Sequence, residues 1–124
     1  DLALKKDVED TTLGLNFINN LRPVSYKWKE DGVRNHQGFI AQEVKTALDD
    51  SATSASEQAM WGQHSVKGPS KDTEHYWEDY QYGERMEREV DVPDYQSLRY
   101  TELIAPLVKA VQELTTRLET LESA

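Results

Sequence analysis

The sequence predicts an α+β fold: a small globular part built from a helix and a β-hairpin, a central arm, and a long C-terminal helix that forms a parallel coiled coil with copies of itself. Three patterns indicate it. Residues 12–20 place apolar side chains at helical spacing, residues 24–28 alternate apolar and polar side chains, and residues 100–124 carry a heptad repeat. One compact domain is expected beside the final helix at this length. We therefore place the globular part at 1–99, with an insertion at about 50–94.

A short amphipathic helix is predicted over residues 12–20. The Asp-Thr-Thr segment at 10–12 supplies N-cap candidates, because a side-chain oxygen there can accept a hydrogen bond from the first free N–H groups. Leu13, Phe17 and Leu21 follow at intervals of four residues, which places them on one face. We expect this face to belong to the core.

A β-hairpin follows the first helix. Pro23 favours an extended entry, and residues 24–28 have the alternation of a half-buried strand. The Glu-Asp-Gly segment at 30–32 is a turn signal, and residues 38–41 are the predicted returning strand. His36 then falls in the connection, where a lone histidine is more often a surface group than a metal ligand.

A second helix is predicted from Gln42 onward. Val44, Ala47 and Leu48 lie on one helical face, and the Asp pair at 49–50 ends the pattern. This face is the second candidate contributor to the core.

The middle of the chain has no clear period. Residues 50–72 are rich in Ser, Ala and Gly and are predicted to be a loop or linker. Residues 73–95 crowd tyrosines and a tryptophan among acidic residues, which is compatible with a two-stranded arm or with irregular structure, and is typical of a contact surface. His64 and His75 have no partner at metal-ligand spacing, so we expect no metal site and no cofactor.

The C-terminal helix carries the strongest pattern in the chain. Six apolar side chains occupy the a and d positions of three heptads, and Tyr100 extends the d series backwards. A single helix of this length is marginal in water, so the repeat requires copies of itself. We call these six residues the seam: Ile104, Leu107, Val111, Leu114, Leu118 and Leu121.

Smaller signals surround the seam. Residues 96–99 are predicted to be a short strand, and Thr101 is the N-cap candidate. Pro106 cannot donate a backbone hydrogen bond, so a kink or a loosened first turn is expected. Arg117 at g and Glu122 at the following e are spaced for an ion pair between parallel chains.

Composition limits the possible functions. The chain has 124 residues, 37% of them apolar, so the core of one copy is small and burial between copies is favoured. Cysteine is absent, which excludes disulfides and thiolate chemistry. No apolar run reaches membrane-span length and no signal-peptide pattern is present, so a soluble, cytosolic protein is expected.

The net charge of −9 is unevenly distributed. Residues 1–45 balance seven acidic with seven basic residues, whereas residues 72–94 hold nine acidic residues against Arg85 and Arg88. No basic stripe exists, so we expect neither a nucleic-acid partner nor binding to an anionic membrane.

Three stretches resemble a known family. Residues 13–29 (LGLNFINNLRPVSYKWK), 36–44 (HQGFIAQEV) and 97–114 (SLRYTELIAPLVKAVQEL) are similar to the intramolecular chaperone auto-processing domain at the C-terminus of phage tailspikes, endosialidases and tail fibres. The resemblance covers about residues 1–48 and 95–122. It implies a homotrimer that holds three chains in register while an upstream β-structured fibre of the same precursor folds.

The resemblance also implies self-cleavage. The family's start motif is Ser-Asp-x-x-Leu-Lys, which Asp1, Leu4 and Lys5 match, and Ala3 stands where an Arg often precedes the Leu. The family's scissile bond lies between the Ser and the Asp, so Asp1 is expected to be a cut end; an arbitrary chain boundary is the alternative. Lys5 takes the role of general base by resemblance, and Lys6 has no counterpart in the motif.

The chemistry leaves several points open. Serine needs a base, and a lysine can serve if burial and neighbours lower its pKa. A serine that attacked its own carbonyl would close a strained four-membered ring. The attacking group would therefore come from a neighbouring chain or be a water molecule. An oxyanion donor is required, and Gln42 and His36 are candidates because they lie in a well-matched motif.

Further expectations follow from the resemblance. The chain would act as a single-turnover, self-cleaving endopeptidase in its precursor, with no turnover afterwards. It would work in the cytoplasm of the infected bacterium during phage assembly and be lost from the mature virion. Residues 50–94 would grip the client or serve as disordered decoration.

Two other functions stay open. One is a structural trimerisation domain that never cuts. The other is a general hydrolase, which the absence of a nucleophile-base pair within the chain disfavours. The a and d residues alone lean toward two strands, so the trimer depends on the resemblance.

Overall fold

The computed structural model describes residues 1–29, 32–69 and 89–123. These residues form three α-helices: α1 (Leu15–Asn19), α2 (Ala41–Asp50) and α3 (Ile104–Glu122). Four strands accompany them: β1 (Val24–Tyr26), β2 (His36–Gly38), β3 (Trp61–Pro69) and β4 (Glu89–Leu98). Short 3-10 helices lie at Leu2–Leu4, Ala55–Glu57 and Tyr100–Leu103. The predicted α+β class is confirmed.

Two antiparallel pairs make up the described β-structure. β1 pairs with β2, with Val24 opposite Gly38 and Tyr26 opposite His36. The returning strand therefore comes two residues earlier than predicted, because Ile40 is already the extended residue before α2. His36 is a strand residue and does not lie in the connection.

The second pair corrects the prediction of a loop over residues 50–72. β3 runs from Trp61, opposite Leu98, to Pro69, opposite Glu89, with an irregularity between His64 and Val66. Of the two alternatives for residues 73–95, the described end, from 89 onward, is a strand; residues 73–88 lie outside the described part. The predicted strand at 96–99 is the end of β4.

One small core holds the globular part together. Phe17, Val44 and Leu48 are 1%, 1% and 0% exposed, as the spacing of apolar residues predicts. Each such burial contributes about 1.5–3 kcal/mol relative to an exposed side chain. The other buried members are Leu13, Ala47, Ala55 and Met60, and half-buried side chains surround them: Ile18, Leu21, Phe39, Trp61, Leu98 and Leu103.

The predicted caps are wrong in both helices. α1 begins at Leu15 with Gly14 at the N-cap; the Thr11 hydroxyl oxygen accepts from the Leu13 N–H at 3.1 Å, before the helix. Thr101 lies inside a 3-10 turn, and α3 begins at Ile104 without a side-chain cap. Pro106 is the third residue of α3, where an N–H would lack an intrahelical partner in any case.

Helix α3 has two faces. Pro106 and Ala110 are buried and Leu103 is half-buried, so this face lies against the globular part and α1 packs on it. Gly14 allows the close approach, because a Cβ there would collide with the Glu113 carboxylate and lie 3.1 Å from the Lys109 Cγ. Within the described residues, no helix has both the length and the apolar character that crossing a bilayer requires.

The seam lies on the other face of α3. All six of its side chains are exposed in the single chain, by 52% to 73%. At 100° per residue the seam is displaced about a quarter turn from the buried face. The helix can therefore rest on its own globular part and present the seam outward at the same time.

Candidate functional site

Residues 1–5 form a compact turn. The Asp1 side-chain carboxylate accepts a hydrogen bond from the Ala3 N–H at 2.9 Å, and the Asp1 backbone carbonyl oxygen accepts one from the Leu4 N–H at 3.1 Å. Lys5 follows in an extended conformation. The matched motif is thus folded locally, by its own first residue.

This turn lies in solvent. Every residue from 1 to 12 is exposed, and the apolar side chains of Leu2, Leu4 and Val8 are 73%, 89% and 66% exposed. Among the described residues, no hydrogen bond or ion pair engages the Lys5 ammonium. A lysine that serves as a general base needs surroundings that disfavour its charged form. The described part of the single chain leaves the Lys5 side chain in solvent.

His36 belongs to an aromatic cluster on the hairpin. Its ring stacks on Tyr26, with centroids 5.3 Å apart and planes 20° from parallel, and lies 5.6 Å from the Trp28 ring. The side chain is half-buried, and it lies on strand β2 and not in the predicted connection.

Gln42 is the second residue of α2, with an exposed side chain. It lines an open cleft of about 800 Å³ between the hairpin, the start of α2 and the end of β4, together with Phe39, Arg99 and Tyr100. Neither Lys5 nor His36 is among the described residues that line this cleft. Of the three sequence-predicted candidates, Gln42 lines this cleft, and His36 packs against Tyr26 and Trp28, which line it too.

Tyr100, which extends the heptad series in the sequence, contacts the hairpin in the structure. Its phenol oxygen accepts a hydrogen bond from the Phe39 N–H at 3.3 Å, and the two rings meet edge to face with centroids 5.9 Å apart. A Cβ on Gly38 would collide with the phenol oxygen, so glycine is needed for this approach. No local sequence signal could have shown the contact.

An apolar groove lies on the opposite side of Tyr100. It has a volume of about 440 Å³ and is lined mainly by the end of α1, the hairpin and the start of α3. Its principal walls are Ile18, Leu21, Val24, Phe39, Leu103 and Ile104. Tyr100, Ile104 and Leu107 line it too, so the groove runs directly into the seam.

Ion pairs fix the start of α2. The Arg22 guanidinium donates to both Glu43 oxygens, from Nε at 2.9 Å and from a terminal nitrogen at 2.7 Å. These hydrogen bonds, and secondarily the positive charge, hold the pKa of the Glu43 carboxyl below its ordinary value. The pair joins the segment after α1 to the helix that carries Gln42.

A second carboxylate closes the other end of α2. Asp49 accepts from the Lys45 ammonium at 3.0 Å and from the Ala55 N–H at 3.1 Å, and both hydrogen bonds lower its pKa, the lysine first. In the described part of the chain, no group of three His, Asp or Glu side chains is placed to hold a metal ion.

Comparisons with known proteins agree with this fold. Residues 1–53 match the family Peptidase_S74, described as chaperone of endosialidase. A crystal structure described as that of a novel intramolecular chaperone matches with a TM-score of 0.56 and 21% identity, over 100% of this chain and 99% of that chain. At that identity the likeness concerns the fold. No curated protein matches. The resemblance to intramolecular chaperone domains is thus confirmed.

Proposed function

We propose that this chain, whose first 53 residues match the chaperone of endosialidase family, is an intramolecular chaperone that assembles as a homotrimer. It assists the folding of an upstream tailspike or tail-fibre β-structure of the same precursor and is then removed by autoproteolysis. The observation that carries the proposal is the seam: six apolar side chains stand exposed on a helix that the globular part already holds in place.

The seam accounts for assembly. Ile104 and Leu121 mark its ends, and a helix of 19 residues spans about 28 Å. Apolar side chains at a and d positions stabilise the helix only when a neighbouring helix buries them. The a and d residues alone lean toward two strands, so in this proposal the globular part sets the number of copies at three.

Assembly in turn assists the client. Three chains joined at one end meet their partners at a high effective concentration, whereas free chains must find one another by diffusion. The benefit is greatest for intertwined β-structure, whose non-local pairing is slow. We assign residues 50–94, whose described parts include β3 and β4, to contact with the client.

Cleavage belongs to a precursor in which a serine precedes Asp1. The Ser-Asp peptide bond breaks, Asp1 leaves as the amine, and the serine carbonyl ends as a carboxylate, with the net consumption of one water. Lys5 accepts the proton of the attacking hydroxyl, which belongs to a serine of a neighbouring chain or to water. Gln42 is the candidate donor to the developing oxyanion.

The exposure of Lys5 explains why cleavage would wait for assembly. In the single chain the Lys5 side chain lies in solvent. Neighbouring chains, or the upstream fibre, must cover it before it can act as a base. Cleavage would then report that the trimer has formed, and the loss of the chaperone would make unfolding of the fibre hard to reverse.

A precursor that carries an upstream fibre domain and a serine before Asp1 tests this function. We expect two bands on a denaturing gel, one band for Lys5→Ala, and two bands for the matched control Lys6→Ala. The native mass should correspond to three chains. The proposed site of action is the cytoplasm of the infected bacterium. Labelling of this chain in infected cells would show where it is located.

The second candidate is a trimerisation domain that does not cut. The solvent-exposed Lys5, with no partner among the described residues, is the observation that favours it. A single band for the parent precursor and for both lysine variants, with a trimeric native mass, would establish this alternative.

A further inference from the structure

The apolar groove beside Tyr100 has no occupant within the described chain, although its walls are those of a protein interior. Ile18, Leu21 and Phe39 are half-buried core neighbours that also line the groove. Because Ile104 and Leu107 of the seam line the same groove, a helix that covers the seam also passes the groove's mouth. The occupant must therefore be compatible with a neighbouring α3.

The heptad positions beside the seam identify the side of the helix that faces the groove. With Ile104 at a, Leu103 and Ala110 fall at g, and Val108 falls at e. Leu103 is half-buried, Ala110 is buried, and Val108 is 50% exposed. The g side thus lies against the chain's own globular part, whereas the e side is open.

In parallel coiled coils the g residue of one helix lies beside the following e residue of the next. Three such pairs exist in α3 and the residue before it, and each is matched in character: Leu103 with Val108, Ala110 with Thr115, and Arg117 with Glu122. The first pair is apolar, the second small, and the third of opposite charge.

The middle pair needs no polar partner across the interface. The Thr115 hydroxyl donates to the Val111 carbonyl of its own helix at 2.8 Å, and Ala110 is 2% exposed, so neither side chain requires a hydrogen-bond partner from another copy. The charged pair at the far end favours the parallel orientation, since reversing the helices would separate Arg117 from Glu122.

We propose that the groove is the docking site for a second copy of this chain, and that Val108 of the neighbouring copy enters it beside Leu103. The inference rests on the proposed trimer and adds to it. The interface is then more than a helical seam: each globular part also grips the next helix.

Cysteine chemistry offers a direct test, because the chain has no cysteine of its own. One chain carries Leu103→Cys, in the groove, and a second chain with a larger tag carries Val108→Cys. The two chains are assembled together and treated with a short thiol-reactive cross-linker. We expect a cross-linked product of tagged and untagged chains. Val24→Cys, on another wall of the groove, replaces Leu103→Cys if that variant fails to fold.

Matched controls separate the possible occupants. Ala105→Cys occupies the outward b position of the same turn and should give no product with the groove cysteine. Leu4→Cys in place of Val108→Cys asks whether the exposed N-terminal turn fills the groove, and a product there, without one from Val108→Cys, overturns the inference.

Sedimentation of the same mixtures separates a failure of the groove contact from a failure of the proposed trimer. A trimer that fails to cross-link through Val108→Cys overturns the groove contact and leaves the proposed function standing. Chains that sediment singly at high concentration overturn the proposed function and the groove contact together.

Discussion

The phenol oxygen of Tyr100 accepts the backbone N–H of Phe39 at 3.3 Å, across 61 residues of sequence. Tyr100 opens the 3-10 turn that leads into α3, and Phe39 follows the last residue of β2. The contact therefore links the start of α3 to the end of the hairpin. It also separates the cleft that Gln42 lines from the apolar groove, since both are bounded by Tyr100 and Phe39.

Gly38→Ala should destabilise the protein, and Tyr100→Phe should relieve part of that loss. The added Cβ collides with the Tyr100 hydroxyl, and overpacking of this kind costs about 1–3 kcal/mol. Tyr100→Phe alone removes one hydrogen bond, worth about 0.5–1.5 kcal/mol. Urea unfolding at one fixed protein concentration measures all three variants, and strictly additive losses in the double variant would contradict the contact.

Leu114→Asp should abolish assembly and leave the globular part folded. Leu114 is a d residue with 52% of its surface exposed in the single chain, so the charge disturbs nothing until a second helix arrives. Sedimentation shows the change in mass, and the far-ultraviolet circular dichroism reports the fold. Thr116→Asp, at the outward f position of the same helix, is the control and should keep the parent mass.

Phe17→Ala should lower the free energy of unfolding by about 3–5 kcal/mol, because the cavity lies among packed core side chains. Phe17 is 1% exposed and contributes to the same core as Val44 and Leu48. Asn16→Ala changes the neighbouring exposed position and should stay within about 0.5 kcal/mol of the parent. Denaturant unfolding checks both, and equal losses in the two variants would mean that the core is placed elsewhere.

Glu43→Gln should reduce the loss of unfolding free energy that occurs as the pH falls from 7 into the acid range. The Arg22 hydrogen bonds keep the pKa of Glu43 below its unfolded value of about 4.3, so the stabilisation is present above that pH and is lost as pH falls through the folded-state value. Unfolding free energies from pH 7 downward measure the difference.

Asp49, whose pKa is also lowered, titrates in both proteins and cancels in that comparison. Added salt should shrink the gap, because the Arg22–Glu43 pair is exposed and therefore screened. Parallel curves for parent and variant at every pH would show that the pair contributes nothing to folding.

Helical spacing predicted the core correctly where it was continuous. Phe17 in α1 and Val44, Ala47 and Leu48 in α2 are buried as the pattern indicates. Spacing failed at strand edges, since a run such as residues 38–41 can continue a strand or cap a helix, and only the pairing of Val24 with Gly38 decides between them. The trimeric coiled coil stays a prediction.

β3 and the contacts of Tyr100 could not be predicted, for a shared reason. Gly62, Gly68 and Pro69 give β3 the composition of a loop, and its register comes from β4, about thirty residues later. The roles of Lys5 and Gln42 came from resemblance, and of the two residues only Gln42 lines the described cleft. Tertiary partners determine such features, and local sequence patterns do not include them.

The two faces of α3 end at different points. Support from the globular part stops at Glu113, whereas seam side chains continue to Leu121. An unassembled chain must therefore hold its last two turns without any apolar backing, and short isolated helices fray in water. Amide protons from Thr115 onward should then exchange rapidly with solvent in a monomer and slowly in the oligomer. The exchange rate of these amides therefore reports whether the chain has assembled.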